Sequence, residues 1–311
     1  MIPREDSRPA YDPVGRLFGV MARAGEEITM YFGRVVGGDV EWHTRTHDRT
    51  DGLGGMASVL EECHRVVVPL PNDRWQRRRT PSPLRLVAAG LRACGGTWRR
   101  PEVPAGAPAQ AWSVLEPEPV IALRQHIAAT GSTKSGHLLW AVSQAWLTVN
   151  GGHSRDWMVP VNLRGSISVP DVRSNQFGYV QVRVRKQDSS AQVSAKLDRL
   201  LTGPEALDSW WAATTLATWP GNPYRLELMA RGVGWAGDGV FSNLGSWYVP
   251  EVPTGEAWVF GSSVNRLVPL CASTVTVNGA LGIMLRLRAD VAQRLDVTAL
   301  MQSWREHLLG T

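Results

Sequence analysis

The amino-acid sequence predicts a mixed α/β fold, in which helices pack on β-sheets. Apolar residues at every second position predict a half-exposed strand: Val180, Val182 and Val184. The pair Asn278-Gly279, between two apolar runs, is typical of a β-hairpin turn. Near the end of the chain, apolar residues recur at the spacing of one helix face: Leu300, Met301, Trp304 and Leu308.

In the first half of the chain, Asp12 and Pro13 predict the cap and first residue of a helix that continues to residue 22. The patterns that follow predict two strands and a helix, over residues 27–36, 40–46 and 53–67. Residues 69–118 are rich in Pro, Arg, Gly and Ala, with one short helical pattern near 84–93. We predict an N-terminal half over residues 1–100, a linker over 101–118 and a C-terminal half over 119–311.

The second half is more regular. Two helices are predicted over residues 120–129 and 136–149, and Gly131 is a stop signal for the first of them. Strands are predicted over 157–161, 180–185 and the two arms of the hairpin, 274–277 and 283–287. The last helix is predicted over 297–309, between a capping Asp296 and a terminating Gly310.

Composition limits the class of protein. The 311 residues include 43% apolar and 20% charged residues, which is ordinary for a globular chain. No window approaches the roughly 20 apolar residues of a membrane span, and the first residues lack the apolar stretch of a signal peptide. The cysteines are scattered, at Cys63, Cys94 and Cys271, so neither a disulfide framework nor a zinc knuckle is predicted. We therefore expect a cytoplasmic protein.

The net charge of +5 is almost entirely due to arginine. The densest basic clusters, Arg74–Arg79 and Trp98–Arg100, lie within the Pro/Gly-rich stretch. They are interpreted as a solvated linker, or else as a docking site for phosphates or an acidic carrier protein. No nucleic-acid-binding motif accompanies the charge, so nucleic acid is not expected as a partner.

Residues 47–52, His47-Asp-Arg-Thr-Asp51-Gly52, lie at a predicted strand-to-helix corner. An imidazole titrates near neutral pH and can take a proton from a hydroxyl or an amine. Asp51 can fix the corner by hydrogen bonds, and Gly52 permits a backbone conformation that other residues avoid. The pattern favours a rigid general base; a structural histidine at the end of a strand is the other interpretation.

Other site types are weakly supported. His43, His47 and Asp51 would share one face of a helix, but on the predicted strand successive members lie about 13 Å apart, so no metal site is predicted. The segment Gly131–Ser135 lacks the spacing of a phosphate loop and is interpreted as a helix start. No Gly-x-Ser-x-Gly motif is present, so a serine hydrolase of that type is not predicted.

Four sets of residues occur in a recognisable order: 12–18, 46–52, 159–164 with 174–180, and 241–245 with 278–279. In this order they resemble the CoA-dependent acyltransferase superfamily. Its members include chloramphenicol acetyltransferase, nonribosomal-peptide condensation domains and wax ester synthase/diacylglycerol acyltransferases. Thr46 replaces the first His of the family's HHxxxDG motif. The resemblance implies a chloramphenicol acetyltransferase-like two-half sandwich, with its N-terminal half truncated between residues 36 and 40.

The resemblance also implies an activity. His47 would act as general base while an acyl group moves from CoA, or from the phosphopantetheine of an acyl or peptidyl carrier protein, to a small-molecule alcohol or amine. The thioester is a substrate, and no metal or organic cofactor is expected. Such a reaction would belong to secondary or lipid metabolism.

Further site residues follow from the same resemblance. Asp51 would support the site by pairing with Arg164, with capping of the following helix as an alternative or additional role. Ser242 and Asn243, in a loop with Gly245, are candidate oxyanion donors. Asn175 is a third candidate for contact with substrate, and with Gly178 it is expected to shape the crossover.

The shortened first half leaves other functions open. One is a non-catalytic, condensation-like scaffold that recruits a carrier protein or a partner enzyme; another is a cyclisation or elimination with His47 as base. A homodimer could rebuild the missing wall of the site. Several tryptophans could line an acceptor pocket or pack in the core: Trp210, Trp211, Trp219, Trp235 and Trp247.

Overall fold

The computed structural model describes residues 12–75, 82, 84, 106–218, 238–265 and 268–310. The helices in these ranges are α1 (Pro13–Arg23), α2 (Gly52–His64), α3 (Pro117–Ala129), α4 (Lys134–Asn150), α5 (Ser190–Thr202), α6 (Glu205–Thr218), α7 (Ala289–Ala292) and α8 (Val297–Leu309). The strands are β1 (Thr29–Val36), β2 (Asp39–Thr46), β3 (Ala109–Leu115), β4 (Ser154–Asn162), β5 (Phe177–Arg185), β6 (Gly239–Trp247), β7 (Glu256–Gly261), β8 (Leu270–Val277) and β9 (Ala280–Leu287). They form two sheets with helices packed on them, which confirms the mixed α/β prediction.

The smaller sheet has the order β2-β1-β7, and both of its strand pairs are antiparallel. Gly37 and Gly38, with φ of 60° and 94°, connect β1 directly to β2. The chain therefore passes directly from its first strand to the strand that leads to His47, as expected for a first half truncated between residues 36 and 40. Strand β7 comes from the second half of the sequence, so both halves build this sheet.

The larger sheet has the order β3-β9-β8-β6-β4-β5. Strand β6 is parallel to β8 and β4, and the other neighbours are antiparallel. The β8–β9 hairpin turns at Asn278 and Gly279, both with positive φ (47° and 94°), which confirms the hairpin prediction.

Helix α4 packs on both α5 and α8, and α6 packs on β5 and α1. The predicted apolar face of α4 is buried, as is that of α8. Asp296 caps α8 through the backbone N–H of Thr298, and Gly310 ends it in the left-handed conformation. The predicted last helix is thus confirmed at both ends. Within the described ranges, no helix has the length and apolar content needed to span a bilayer.

Several local predictions require correction. The predicted linker is wrong over its second part, because residues 109–115 form β3 and gain backbone hydrogen bonds from β9, with Ala109 opposite Leu287. Helix α2 ends at His64, before the predicted residue 67, because Arg65 adopts a left-handed φ of 56°. Residues 241–245 belong to β6 and not to a loop, although Gly245 has a φ of 79° at an irregularity in the pairing with β8. Apart from residue 84, the helical pattern near 84–93 lies outside the described residues.

Gly178 allows α6 to lie directly on β5, because a Cβ atom at this position would come within 1.8 Å of the Ala206 carbonyl oxygen. We expect Gly178→Ala to destabilise the fold by about 1–3 kcal/mol, since backbone cannot yield as a flexible side chain can. Urea unfolding monitored by circular dichroism measures this. Gln181→Ala, on an exposed position of the same strand, is the control and should leave the midpoint unchanged. Equal midpoints for both variants would contradict the prediction.

Candidate active site

His47 lies in the turn that connects the end of β2 to the start of α2. Its backbone N–H donates to the Ile28 carbonyl at 3.0 Å, and its own carbonyl accepts from the Asn175 side chain at 2.8 Å. The N–H groups of Arg49 and Thr50 both bond to the Thr46 carbonyl and close the turn. The backbone of His47 is therefore held from both sides.

The imidazole of His47 is buried against aromatic rings. It stacks on Phe18 with 4.5 Å between centroids and 16° between planes, and the Phe177 ring lies 6.3 Å away. Its Nε2 atom lies 3.1 Å from Ser262 Oγ. Burial lowers the pKa of His47 to about 4, although the nearby Asp51 acts in the opposite direction. The ring is consequently neutral at neutral pH and can accept a proton.

Asp51 and Arg164 form a buried, bidentate ion pair, with the guanidinium donating to Oδ2 at 2.9 Å and to Oδ1 at 2.8 Å. Asp51 also accepts from Gly54 N at 2.9 Å, which caps α2, and from Gln176 N at 3.1 Å. Pairing and capping thus occur together. Since Arg164 follows β4, the pair ties the large sheet to the His47 corner.

Gly52 is the first residue of α2 and does not have a positive φ. The prediction that a special backbone conformation requires glycine here is therefore wrong. A Cβ atom would lie 2.8 Å from Leu244 Cδ2 and 3.2 Å from Phe260 Cζ. A side chain at this position would therefore require the side chains of Leu244 and Phe260 to shift.

Asn175 is completely buried beside the corner. Its Nδ2 donates to Asp12 Oδ2 at 2.9 Å and to the His47 carbonyl, and its backbone N–H also bonds to Asp12. Asp12 in turn caps α1 through Gly15 N at 2.7 Å. Asn175 thereby connects the start of α1 to the His47 turn, which fits the predicted shaping role.

A cavity of about 290 Å³ opens onto His47. Its wall is mostly apolar and comes from α1, α6, β4, β5, β6 and the segment after β7: Val14, Leu17, Phe18, Met21, Met158, Pro160, Phe177, Trp210, Ala213, Val240 and Val268. Among the tryptophans considered for an acceptor pocket, Trp210 lies in this wall and Trp247 packs in a core cluster. Trp219 and Trp235 lie outside the described residues.

Both predicted oxyanion donors also line the cavity. The side chain of Asn243 is held by the protein: Nδ2 donates to Ser135 Oγ at 2.9 Å and Oδ1 accepts from Gly245 N at 2.9 Å. Ser242 lines the cavity from the same strand and is 8% exposed. The structure therefore brings Ser242, Asn243 and His47 to one cavity, and the oxyanion role stays a prediction.

Sequence reasoning missed two groups at this site. Ser262 contacts His47 across 215 positions of sequence, and no motif marks it. Asp12 is recognisable from the sequence only as a helix cap, whereas it also binds Asn175. His43, considered above as a metal ligand, lies with its Nε2 3.5 Å from Cys63 Sγ. Across the described residues no group of three His, Cys, Asp or Glu is arranged to hold a metal ion.

Of the comparisons with known proteins, only the one with solved structures gave matches. No family model and no curated protein matches the chain. Among solved structures, the epimerization domain from the third module of tyrocidine synthetase B matches with a TM-score of 0.52 and 14% identity, covering 86% of this chain and 68% of its own.

Two further solved structures have the same fold. A condensation domain that mediates chain release from the enacyloxin polyketide synthase has a TM-score of 0.53 and 12% identity, covering 86% of this chain and 57% of its own. The trichothecene 15-O-acetyltransferase from Fusarium sporotrichioides has a TM-score of 0.55 and 12% identity, covering 86% and 65%. The chain thus has the fold of these epimerization and condensation domains and of this acetyltransferase, and it spans only part of their length.

Proposed function

We propose that this protein is an acyltransferase that moves an acyl group from a thioester to an alcohol or an amine, with His47 as general base. The observation that carries the proposal is a buried, neutral imidazole, held rigidly at the wall of an apolar cavity. In the reaction, Nε2 takes the proton of the acceptor as the acceptor attacks the thioester carbonyl, and the thiol leaves. The fold, which is also that of an acetyltransferase, supports the same assignment.

The cavity indicates the class of substrate. Its volume of about 290 Å³ is near the lower end of small-molecule sites, which span roughly 300–1,000 Å³. Asp51 faces it, but the carboxylate is already paired with Arg164, so a charged substrate group would be desolvated without compensation. We therefore expect an apolar acyl group or acceptor of modest size. CoA or a carrier-bound phosphopantetheine would supply the thioester, and Ser242 or Asn243 would stabilise the oxyanion.

Thiol release from a panel of thioesters tests the proposal. The panel contains acyl-CoAs and acyl carrier proteins with short, medium, long and charged acyl groups, each with mixed alcohol and amine acceptors. We expect thiol release that depends on the acceptor and is fastest for apolar acyl groups that fit the cavity. If no donor yields thiol, the protein is not an acyltransferase.

The shortened first half favours one alternative. This chain covers 57–68% of the compared chains, so part of the length of those proteins has no counterpart here. A scaffold that recruits a carrier protein would bind the carrier without turnover. The cavity beside His47 would have no role in such a scaffold. Stable carrier binding with no thiol release would favour the scaffold. Consumption of a substrate without acyl transfer would favour a cyclisation or elimination.

The lowered pKa of His47 predicts a specific dependence of kcat/KM on pH. Because burial lowers this pKa to about 4 from its usual 6.5, the base form persists as the pH falls and is lost only near pH 4. With an alcohol acceptor, which does not titrate in this range, kcat/KM should stay flat down to about pH 5 and then decline. The measurement is a pH–rate profile with circular dichroism at each pH. An acid limb near pH 6.5 would contradict it.

A further inference from the structure

The side chain of Asp12 makes two separate sets of hydrogen bonds at the start of α1. Its Oδ1 accepts from the backbone N–H of Gly15 at 2.7 Å, which caps the helix. Its Oδ2 accepts from Nδ2 of Asn175 at 2.9 Å and from the backbone N–H of Asn175 at 3.2 Å. A helix cap needs only the first of these contacts. The second joins α1 to a residue 163 positions away in the sequence.

The carboxylate of Asp12 is buried without a counter-charge. Across the described residues, no lysine, arginine or histidine forms an ion pair with it. Burial is the main cause that raises its pKa, and the hydrogen bonds from Gly15 and Asn175 act in the opposite direction. Asparagine and serine cap helices about as well as aspartate and bury no charge. The need to cap α1 therefore does not account for a buried carboxylate at this position.

Asn175 connects this carboxylate to the backbone of His47. Its Nδ2 carries two N–H donors, and the two acceptors beside it are Asp12 Oδ2 at 2.9 Å and the His47 carbonyl oxygen at 2.8 Å. The side chain of Asn175 is completely buried, so solvent does not replace either acceptor. Without the acceptor on Asp12, the amide would lose the contact that fixes its orientation toward the His47 carbonyl.

Helix α1 also covers the imidazole of His47. Phe18, in the second turn of the helix, stacks on the ring with 4.5 Å between centroids. Val14, Leu17 and Met21 lie on the same face of α1 and line the cavity beside the ring. An outward shift of the start of α1 would therefore separate Phe18 from the imidazole and admit water to it.

We propose that Asp12 is a positioning residue for the proposed base. Through Asn175 it holds the start of α1 against the His47 turn, so that Phe18 shields the imidazole from water and Nε2 stays at the cavity. Asp12 itself does not line the cavity. This inference rests on the proposed acyl transfer at His47, and it adds a residue that acts on the base and not on the substrate.

The kinetic test uses two helix caps that lack the second carboxylate oxygen. Asp12→Asn and Asp12→Ser both keep an acceptor for the Gly15 N–H, but neither provides a second acceptor for Asn175. Both variants should reduce kcat for acceptor-dependent thiol release by about 10- to 100-fold, because a displacement of roughly 1 Å at the base has an effect of this size. KM should change by less than about threefold, since substrate contacts remain. The matched control is Asp296→Asn at the cap of α8, away from the cavity, which should retain the wild-type rate.

An NMR titration of the His47 imidazole gives a second readout that needs no turnover. In both Asp12 variants the pKa of His47 should rise from about 4 toward its usual 6.5, because burial is the main cause of the low value and water would relieve it. The other charged groups that act on the ring, Asp51 and Asp48, stay in place. Loss of the Asp12 charge and of the Asn175 contact would each lower this pKa, so a rise reports the entry of water.

The outcomes separate this inference from the proposed function. Either a wild-type kcat or an unchanged or lowered His47 pKa in folded Asp12→Asn would overturn the role of Asp12 and leave acyl transfer intact. A raised His47 pKa in the variants, together with a wild type that releases thiol from no donor, would overturn acyl transfer and support the coupling of Asp12 to His47. Circular dichroism and urea unfolding of each variant measure the folded fraction, and a loss of rate that merely matches the unfolded fraction would also overturn the positioning role.

Discussion

Replacing His47 with alanine should reduce acceptor-dependent thiol release by about 10²- to 10⁴-fold, the usual contribution of general-base assistance. The reason is that Nε2 is the basic atom placed at the apolar cavity with a hydroxyl already within 3.1 Å. The loss should appear mainly in kcat, because the imidazole takes the acceptor's proton in the transition state and does not contribute to substrate binding. Added imidazole should restore part of the rate by occupying the space that the side chain leaves.

The matched control for this change is His43→Ala. His43 lies on β2, the strand that ends just before His47, and its imidazole contacts Cys63 and not the cavity. This variant should retain the wild-type rate. A rate for His47→Ala within about threefold of wild type, with the fold intact, would show that His47 is not the base.

The second large effect is expected on stability, from the buried pair of Asp51 and Arg164. Changing Asp51 to asparagine keeps the size of the side chain but leaves the guanidinium of Arg164, 3% exposed, without its counter-charge. Breaking a buried pair in this way costs about 3–5 kcal/mol. Arg164→Lys should also destabilise the fold, since a lysine cannot make the two parallel hydrogen bonds to the carboxylate.

Urea unfolding of these variants measures the effect. The control is Arg183→Ala, because Arg183 makes a similar two-bond pair with Asp156 on an exposed surface of β4 and β5. Its unfolding midpoint should stay close to wild type, since exposed pairs are screened by solvent. If Asp51→Asn shifts the midpoint no more than Arg183→Ala does, the corner is not held by the pair.

Regular elements and the corner motif could be predicted from the sequence because their causes are local. Caps at Asp12 and Asp296, the turn at Asn278-Gly279 and the alternating valines of β5 each depend on neighbouring residues. Strand β3 could not be predicted in this way. Its backbone hydrogen bonds come from β9, far away in the sequence, and its Pro- and Gly-rich surroundings resemble a linker.

The same distinction applies to the site. His47 and Asp51 are recognisable because a short motif contains both, and Arg164 follows from a resemblance over a second motif. Ser262 and the second contact of Asp12 arise only when β7 and α1 reach the corner, so a single sequence contains no sign of them. The constraint on Gly52 is likewise non-local, since it comes from the side chains of Leu244 and Phe260 and not from its own backbone.

The most direct test of acyl transfer at His47 follows the acyl group itself. Wild type and His47→Ala are incubated with an isotopically labelled acyl thioester, selected from the panel, and with its acceptor. Mass spectrometry then quantifies the labelled product beside the released thiol. We predict one labelled ester or amide per thiol with wild type and at least about a hundredfold less with His47→Ala. Thiol release without labelled product, or equal product from both proteins, would contradict the assignment.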